Sequence, residues 1–367
     1  MTWRRSASNP QFWALVVSLF LPAAVIPARA DNSNLLEAID HEVGALCQHS
    51  RKAVVKVHAE RQVQINNLPL APLQRVGTGF FVSGDGRLLT AATVVADADR
   101  CWIEWGDRPV KAEVLGQDEP TNVALLKVDP AQCGGADFKT PALPLGNSDD
   151  LRIGSLVVAL GFPYEQASAP VVGFVRGFAA RHGTHGFVTT HIRAGCKLSP
   201  GQGGGPLLND QGQVVGIAVA AHLDDQCYAL PIKAAQKICD DILQHGRPQH
   251  AWVGLEVAER GRTNAPAGET EIEVYVQQVI SNTPAAEAGF RENDTLERIS
   301  TNAVHGLADV LDTMFYRHAG DRLEFTVKRG DQSRTLSLVA GTRPQEKAAT
   351  SRPTLVVPQL VPVSTGR

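Results

Sequence analysis

Gly77-Thr-Gly-Phe-Phe-Val-Ser-Gly-Asp-Gly-Arg-Leu-Leu-Thr-Ala-Ala-Thr-Val-Val95 decides the reading of this chain. Within it, Gly79–Val82 is a short β-rich run, cut off by Ser83, Gly84, Asp85 and Gly86, residue types that make turns. The same texture extends in both directions. Val54–His58 precedes it, and Val123–Val128, Leu156–Gly161, Val171–Val175, Phe187–Ile192 and Val214–Val219 follow, separated by Gly, Asp, Asn and Pro. Many short strands without helices between them predict an antiparallel sandwich or barrel from Val54 to Pro231.

The flanks read differently. Leu35, Leu36, Ile39, Val43 and Leu46 fall at helical spacing and predict a short amphipathic helix over residues 34–48. After the β-rich region, Ile232, Ala235, Ile238, Ile242 and Leu243 predict a helix over 232–244, which Gly246-Arg247-Pro248 ends. A second unit, 251–341, mixes strands (Ile272–Val276, Leu323–Val327, Arg334–Val339) with helical patterns at Pro284–Ala288 and Gly306–Phe315, an α+β texture. The tail carries Pro344, Pro353, Pro358 and Pro362 without periodicity and reads as a flexible extension. The expected organisation is a signal peptide (1–30), a helical segment (31–50), a β-rich domain (51–248), an α+β domain (249–342) and the tail (343–367).

Composition narrows the function classes. Among 367 residues, Lys+Arg 35 stand against Asp+Glu 38, a formal charge of −3, with 43% hydrophobic and 20% charged residues. These values suit a globular chain and exclude a largely disordered or collagen-like one. A near-neutral balance without a basic block argues against nucleic-acid binding. Arg4 and Arg5, the apolar stretch from Phe12 to Ile26 and the small-x-small Ala28-Arg29-Ala30 read as an export signal, placing the mature chain in the periplasm or outside the cell. Six cysteines, Cys47, Cys101, Cys133, Cys196, Cys227 and Cys239, allow disulfides in such a compartment, and their spacing leaves the pairing open. The sequence holds no C-x-x-C, so neither a zinc site nor any other metal or cofactor is expected. His182, His185 and His191 read as solvated histidines of a loop and a strand. Trp102 and Trp105 read as packing on or near a barrel surface, and Asp149–Asp150 as a turn cap.

Three ordered segments carry a more specific signal: Gly77–Val95 above, Asp118-Glu-Pro-Thr-Asn-Val-Ala-Leu-Leu-Lys-Val-Asp129, and Ser199-Pro-Gly-Gln-Gly-Gly-Gly-Pro-Leu-Leu-Asn209 followed by Gly212-Gln-Val-Val-Gly-Ile217. Together with Leu145–Gly154 and Val157–Pro163 they resemble the HtrA/DegP family of exported trypsin-like serine proteases. Trp252–Val257, Ser281–Phe290 and Asn293–Ile299 resemble the PDZ unit that follows the protease there, with Asn293 where the family has Gly. The resemblance implies a mainly β protein, a trypsin-like double antiparallel β-barrel followed by an α+β PDZ-like domain. It also implies a homotrimer.

The chemistry departs from the family. Serine-protease catalysis needs a Ser nucleophile, a His base and an Asp that orients the His. Carried over residue by residue, the His position holds Thr93, the Asp position Asn122 and the Ser position Gly203. Gly203 offers no nucleophile, Thr93 no base near neutral pH, and Asn122 no charge for an imidazolium. Gly201 and Gly203 retain main-chain N–H groups of the oxyanion-hole type, able to bind a carbonyl or carboxylate. By the resemblance, Cys196 lies beside Cys227 as a candidate disulfide, and Val253, Gly254, Leu255, Glu256 and Val257 form the peptide-binding loop and strand of the PDZ unit. The expected function is an exported, non-catalytic pseudoprotease that binds peptides or the C-termini of unfolded proteins and scaffolds or regulates envelope proteins. Two alternatives stand beside it. One is an endopeptidase with a relocated nucleophile, drawing on Ser199 or Cys196 with His191 or His58 as base. The other is a regulatory subunit of active HtrA proteases.

Overall fold

A computed structural model describes residues 32–65, 68, 69, 71–182, 185–222, 225–262 and 271–343. The signal segment read over 1–30 and the tail from 344 onward lie outside the described residues. Helix α1 runs Asn32–Ser50.

Strands β1 (Val54–Arg61), β2 (Leu73–Phe81), β3 (Arg87–Thr90), β4 (Arg100–Trp105), β5 (Arg108–Asp118) and β6 (Val123–Val128) close a barrel in the order β1-β2-β3-β6-β5-β4. The one-turn helix α2 (Ala92–Val95) follows β3. Consecutive apolar pairs mark the strands covered on both faces. Phe81, Leu88 and Leu126 fill the barrel interior with Val55, Val57 and Ile103. Their neighbours Phe80, Leu89 and Leu125 turn the other way, into a cluster shared with the second barrel. A strand buried on one face alternates; one buried on both reads as a continuous apolar run.

The second barrel is built from β7 (Leu156–Gly161), β8 (Ala169–His182), β9 (His185–Ala194), β10 (Pro206–Leu208), β11 (Val214–His222) and β12 (Gln226–Pro231), in the order β8-β9-β12-β11-β10-β7. Helix α3 (Ile232–His245) then packs Ile238 and Ile242 into the cluster between the barrels, and Gly246 at φ +73° caps it in the left-handed conformation.

The last unit is a sheet ordered β13 (Leu255–Arg262), β14 (Glu271–Val279), β15 (Thr295–Ile299), β16 (Arg322–Arg329), β17 (Gln332–Val339), with helices α4 (Pro284–Glu287) and α5 (Leu307–Phe315). Its core holds Val274, Val276, Phe290, Leu296 and Phe325, with Phe290 edge-on to Phe325 at 5.2 Å. This unit docks firmly on the barrels. Phe315 of α5 is buried in the cluster that contains Ile238 and Ile242, worth roughly 2–3 kcal/mol of apolar burial. Around it, Asp312 accepts hydrogen bonds from the Thr189 hydroxyl and the Thr190 N–H, both at 2.6 Å. His250 pairs with Asp118 at 2.7 Å, and His318 with Asp241 at 3.1 Å.

Several sequence expectations are corrected. The strands run longer than the apolar cores that announce them: β8 extends to Ala169–His182 and β2 begins at Leu73. Five barrel strands, β3, β4, β5, β10 and β12, lie outside the runs named from the sequence. β5 alternates buried Val110 and Ala112 with exposed Lys111 and Glu113, so its charges dilute the signal, and β10 has only three residues. Leu243 points outward, 47% exposed. His191 is buried, stacked on Phe187 at 3.9 Å with Nδ1 against the Thr189 carbonyl, so it is no solvated histidine. Asn147, not the Asp pair, caps the turn at 148–150; its side chain accepts from the Asp149 N–H, while the Asp149 carboxylate pairs with Lys233.

Candidate functional site

The loop from Ser199 to Gly205 lies against the first barrel, and Thr78 is the pin that holds it there. Thr78 is fully buried in β2. Its N–H donates to the Gly203 carbonyl at 2.9 Å and its hydroxyl to the Gly201 carbonyl at 2.7 Å. The same hydroxyl accepts from the Phe162 N–H at 3.1 Å. Buried Gln202 braces the loop from within, its Oε1 accepting from the Ser199 N–H at 2.8 Å. Gly204 N–H donates to Ala218 of β11 at 2.7 Å. Sequence reasoning did not single out Thr78 or Gln202. The one signal for Thr78 is its place between Gly77 and Gly79, where a buried hydroxyl has backbone on both sides.

The glycines of this loop are not equivalent. A Cβ on Gly201 would collide with the Phe162 carbonyl, on Gly204 with the Thr78 carbonyl, and on Gly205 with the Leu160 carbonyl. Gly201 and Gly204 also hold φ of +92° and +85°, where a side chain is strained. Gly203 has neither constraint: a Cβ there meets nothing within 4 Å. Its missing side chain leaves open space without any backbone reason for glycine. Among the described residues, the Gly201 and Gly203 N–H groups donate to no acceptor.

Thr93 and Asn122 meet at the same seam. Thr93 sits on α2 with its side chain exposed, and its N–H donates to Asn122 Oδ1 at 2.8 Å. Asn122 Nδ2 donates across the seam to the Val219 carbonyl of β11 at 2.8 Å. Arg75 of β2 donates to the Thr93 carbonyl at 2.8 Å. The fold thus gathers Thr93, Asn122 and Gly203 at one junction, from three distant parts of the chain.

The remaining named residues divide. Cys196 and Cys227 are fully buried free thiols, and the Cys196 thiol donates to the Val171 carbonyl at 3.7 Å. The two thiols influence each other: the neighbouring Cys227 holds the Cys196 thiol below its ordinary range, while Cys196 and burial push Cys227 up. His191, pushed down to about 4 by burial, is neutral at pH 7. His58 pairs with Glu104 at 2.8 Å and stacks on Trp102. Among the described residues, no serine or cysteine side chain hydrogen-bonds to an imidazole.

In the last unit, Val253 and Gly254 precede β13, the edge strand of the sheet. Their carbonyls accept from Ala285 at 3.0 Å and Ile280 at 2.9 Å, and Gly254 takes φ +83° under the Thr283 side chain. Leu255 and Val257 turn toward the core and Glu256 is exposed. Asn293 adopts φ +67°, so it makes the turn that a glycine would make.

This architecture has close counterparts. The sequence matches the trypsin-like peptidase domain family over residues 77–217 and the PDZ domain family over residues 252–339. It is 30% identical over 286 residues to a probable periplasmic DegP-like serine endoprotease of Pseudomonas fluorescens, covering 74% of this chain and 57% of that protein. The chain is an HtrA/DegP homologue. A putative serine protease HhoB of Synechocystis is 29% identical over 289 residues, covering 74% of this chain and 68% of that one. The fold of this HtrA/DegP homologue matches the HtrA-type protease AlgW, solved with a decapeptide, at a TM-score of 0.67 and 24% identity over 82% of this chain and 98% of AlgW. The chain spans a little over half the length of the DegP-like relative.

Proposed function

We propose that this HtrA/DegP homologue is an exported pseudoprotease. It cleaves nothing, binds extended peptides or the C-termini of unfolded proteins through its PDZ unit, and scaffolds or regulates proteins of the envelope as a homotrimer. One observation carries the reading: at Gly203, where the resemblance puts the nucleophile, a side chain would have open space around it and there is no atom to attack with. The aligned base and orienter, Thr93 and Asn122, hydrogen-bond to each other through groups that do no proton transfer near neutral pH. That no described serine or cysteine side chain hydrogen-bonds to an imidazole supports the same reading against a relocated nucleophile. Periplasmic relatives support export, where the adjacent Cys196 and Cys227 make the favoured disulfide pair. The open edge of β13 and the fold shared with a peptide-bound HtrA-type protease support peptide binding.

Calorimetric titration of the full chain with peptides ending in a free carboxylate tests this function. Binding, loss of binding when the same peptide is amidated, and recovery of the peptide uncut are expected. Turnover of the peptide, or equal binding of the amide, would overturn it.

A further inference from the structure

Toward the end of β13, a residue that no motif singles out bridges this strand to helix α5. Glu259 lies on β13 with Leu255, Glu256, Val257 and Ala258 between it and Gly254, roughly 17 Å along the strand. Its Oε1 accepts a 2.7 Å hydrogen bond from the N–H of Leu307, the first residue of α5. The carboxylate therefore ties the strand to the helix across the groove. Glu259 is exposed, and among the described residues its second oxygen has no partner. A second carboxylate, Asp309, accepts from the N–H groups of His305 at 2.7 Å and Gly306 at 3.1 Å on the same helix end. The neighbouring cation does not neutralise this end of the strand. Arg260 is engaged elsewhere, with Glu273 at 3.2 Å, with Thr295 at 3.0 Å and over the Tyr275 ring.

A ligand added antiparallel to β13, with its carboxylate at Val253–Gly254, brings its fourth and fifth residues from the C-terminus to Glu259. We propose that the Glu259 carboxylate makes this groove select ligands with Lys or Arg at one of those two positions. The selection rests on the peptide-binding reading above and adds charge complementarity at a defined distance from the terminus.

Fluorescence anisotropy on the full chain tests it, with peptides sharing one apolar C-terminal residue and carrying Lys, Ala or Glu at the fourth and fifth positions. The Lys peptide is expected to bind about fivefold tighter than Ala, and Ala tighter than Glu, with the spread shrinking in high salt. Glu259→Gln keeps an acceptor for the Leu307 N–H and is expected to level the three affinities. Equal binding of the three peptides to the unsubstituted chain would overturn the charge selection alone. Failure of every free-carboxylate peptide to bind would overturn the peptide-binding reading beneath it.

Discussion

The N–H of Thr93 donates to Oδ1 of Asn122, and the Nδ2 of the same carboxamide donates to the Val219 carbonyl, each at 2.8 Å. The two ends of the amide are thus both used, one as acceptor and one as donor. A carboxylate at position 122 would set an oxygen against the Val219 carbonyl with no proton between them. Asn122→Asp alone is therefore expected to lose about 1–3 kcal/mol of stability, read by urea unfolding. Adding Thr93→His is expected to recover part of it, because an imidazole can donate to the new carboxylate.

The loop glycines give a sharper contrast. Gly203→Ser is expected to leave stability within about 0.5 kcal/mol of the parent, since its Cβ enters open space. Gly204→Ser, one residue on, would drive a Cβ into the Thr78 carbonyl at a φ of +85° and is expected to cost several-fold more, about 2 kcal/mol or above. Matched thermal melts of the two variants check this. Combining Gly203→Ser with Thr93→His and Asn122→Asp is expected to restore labelling by a serine-reactive phosphonate, because the loop scaffold around position 203 is intact.

Thr78 holds two segments through one hydroxyl. Thr78→Val keeps the volume but strands the Gly201 carbonyl and the Phe162 N–H in a buried site. A loss of roughly 1–3 kcal/mol is expected, together with faster hydrogen exchange at the amides of 201–205.

His191 sets a pH dependence. Burial lowers its folded value to about 4 from an ordinary 6.5, so the unfolded chain binds more protons between those values. Its stabilising contribution is complete above pH 6.5 and is lost as pH falls toward 4, up to about 3 kcal/mol. Burial raises the Asp241 carboxyl, but Lys237, the Gln249 N–H and His318 outweigh it and hold it below 3.8, so its loss falls at more acid pH. Melting temperature is expected to drop between pH 6.5 and 4, and His191→Phe, which keeps the stack on Phe187, is expected to flatten that slope.

Much of this was legible in the sequence, for identifiable reasons. Val123–Val128 and Leu156–Gly161 were readable to the residue because both faces of each strand are buried and turn residues bound them. The spacing of the motifs pointed to Thr93 and Asn122, which the fold brings into hydrogen-bond contact. What stayed hidden depends on tertiary partners. Thr78 pins a loop more than a hundred residues away, and its role exists only once the barrels meet. His191 gives no local sign of burial, because Phe187 stacks on it, with Tyr228 behind Phe187, only in the folded barrel. Glu259 acts through Leu307, a contact across a groove that no spacing along one strand encodes.

The most direct measurement is intact-mass spectrometry of the purified full chain after incubation with a serine-reactive phosphonate, alongside an unfolded protein substrate. The expected result is an unmodified mass and an uncut substrate. A one-to-one phosphonate adduct, with cleavage that disappears in Ser199→Ala, would contradict it.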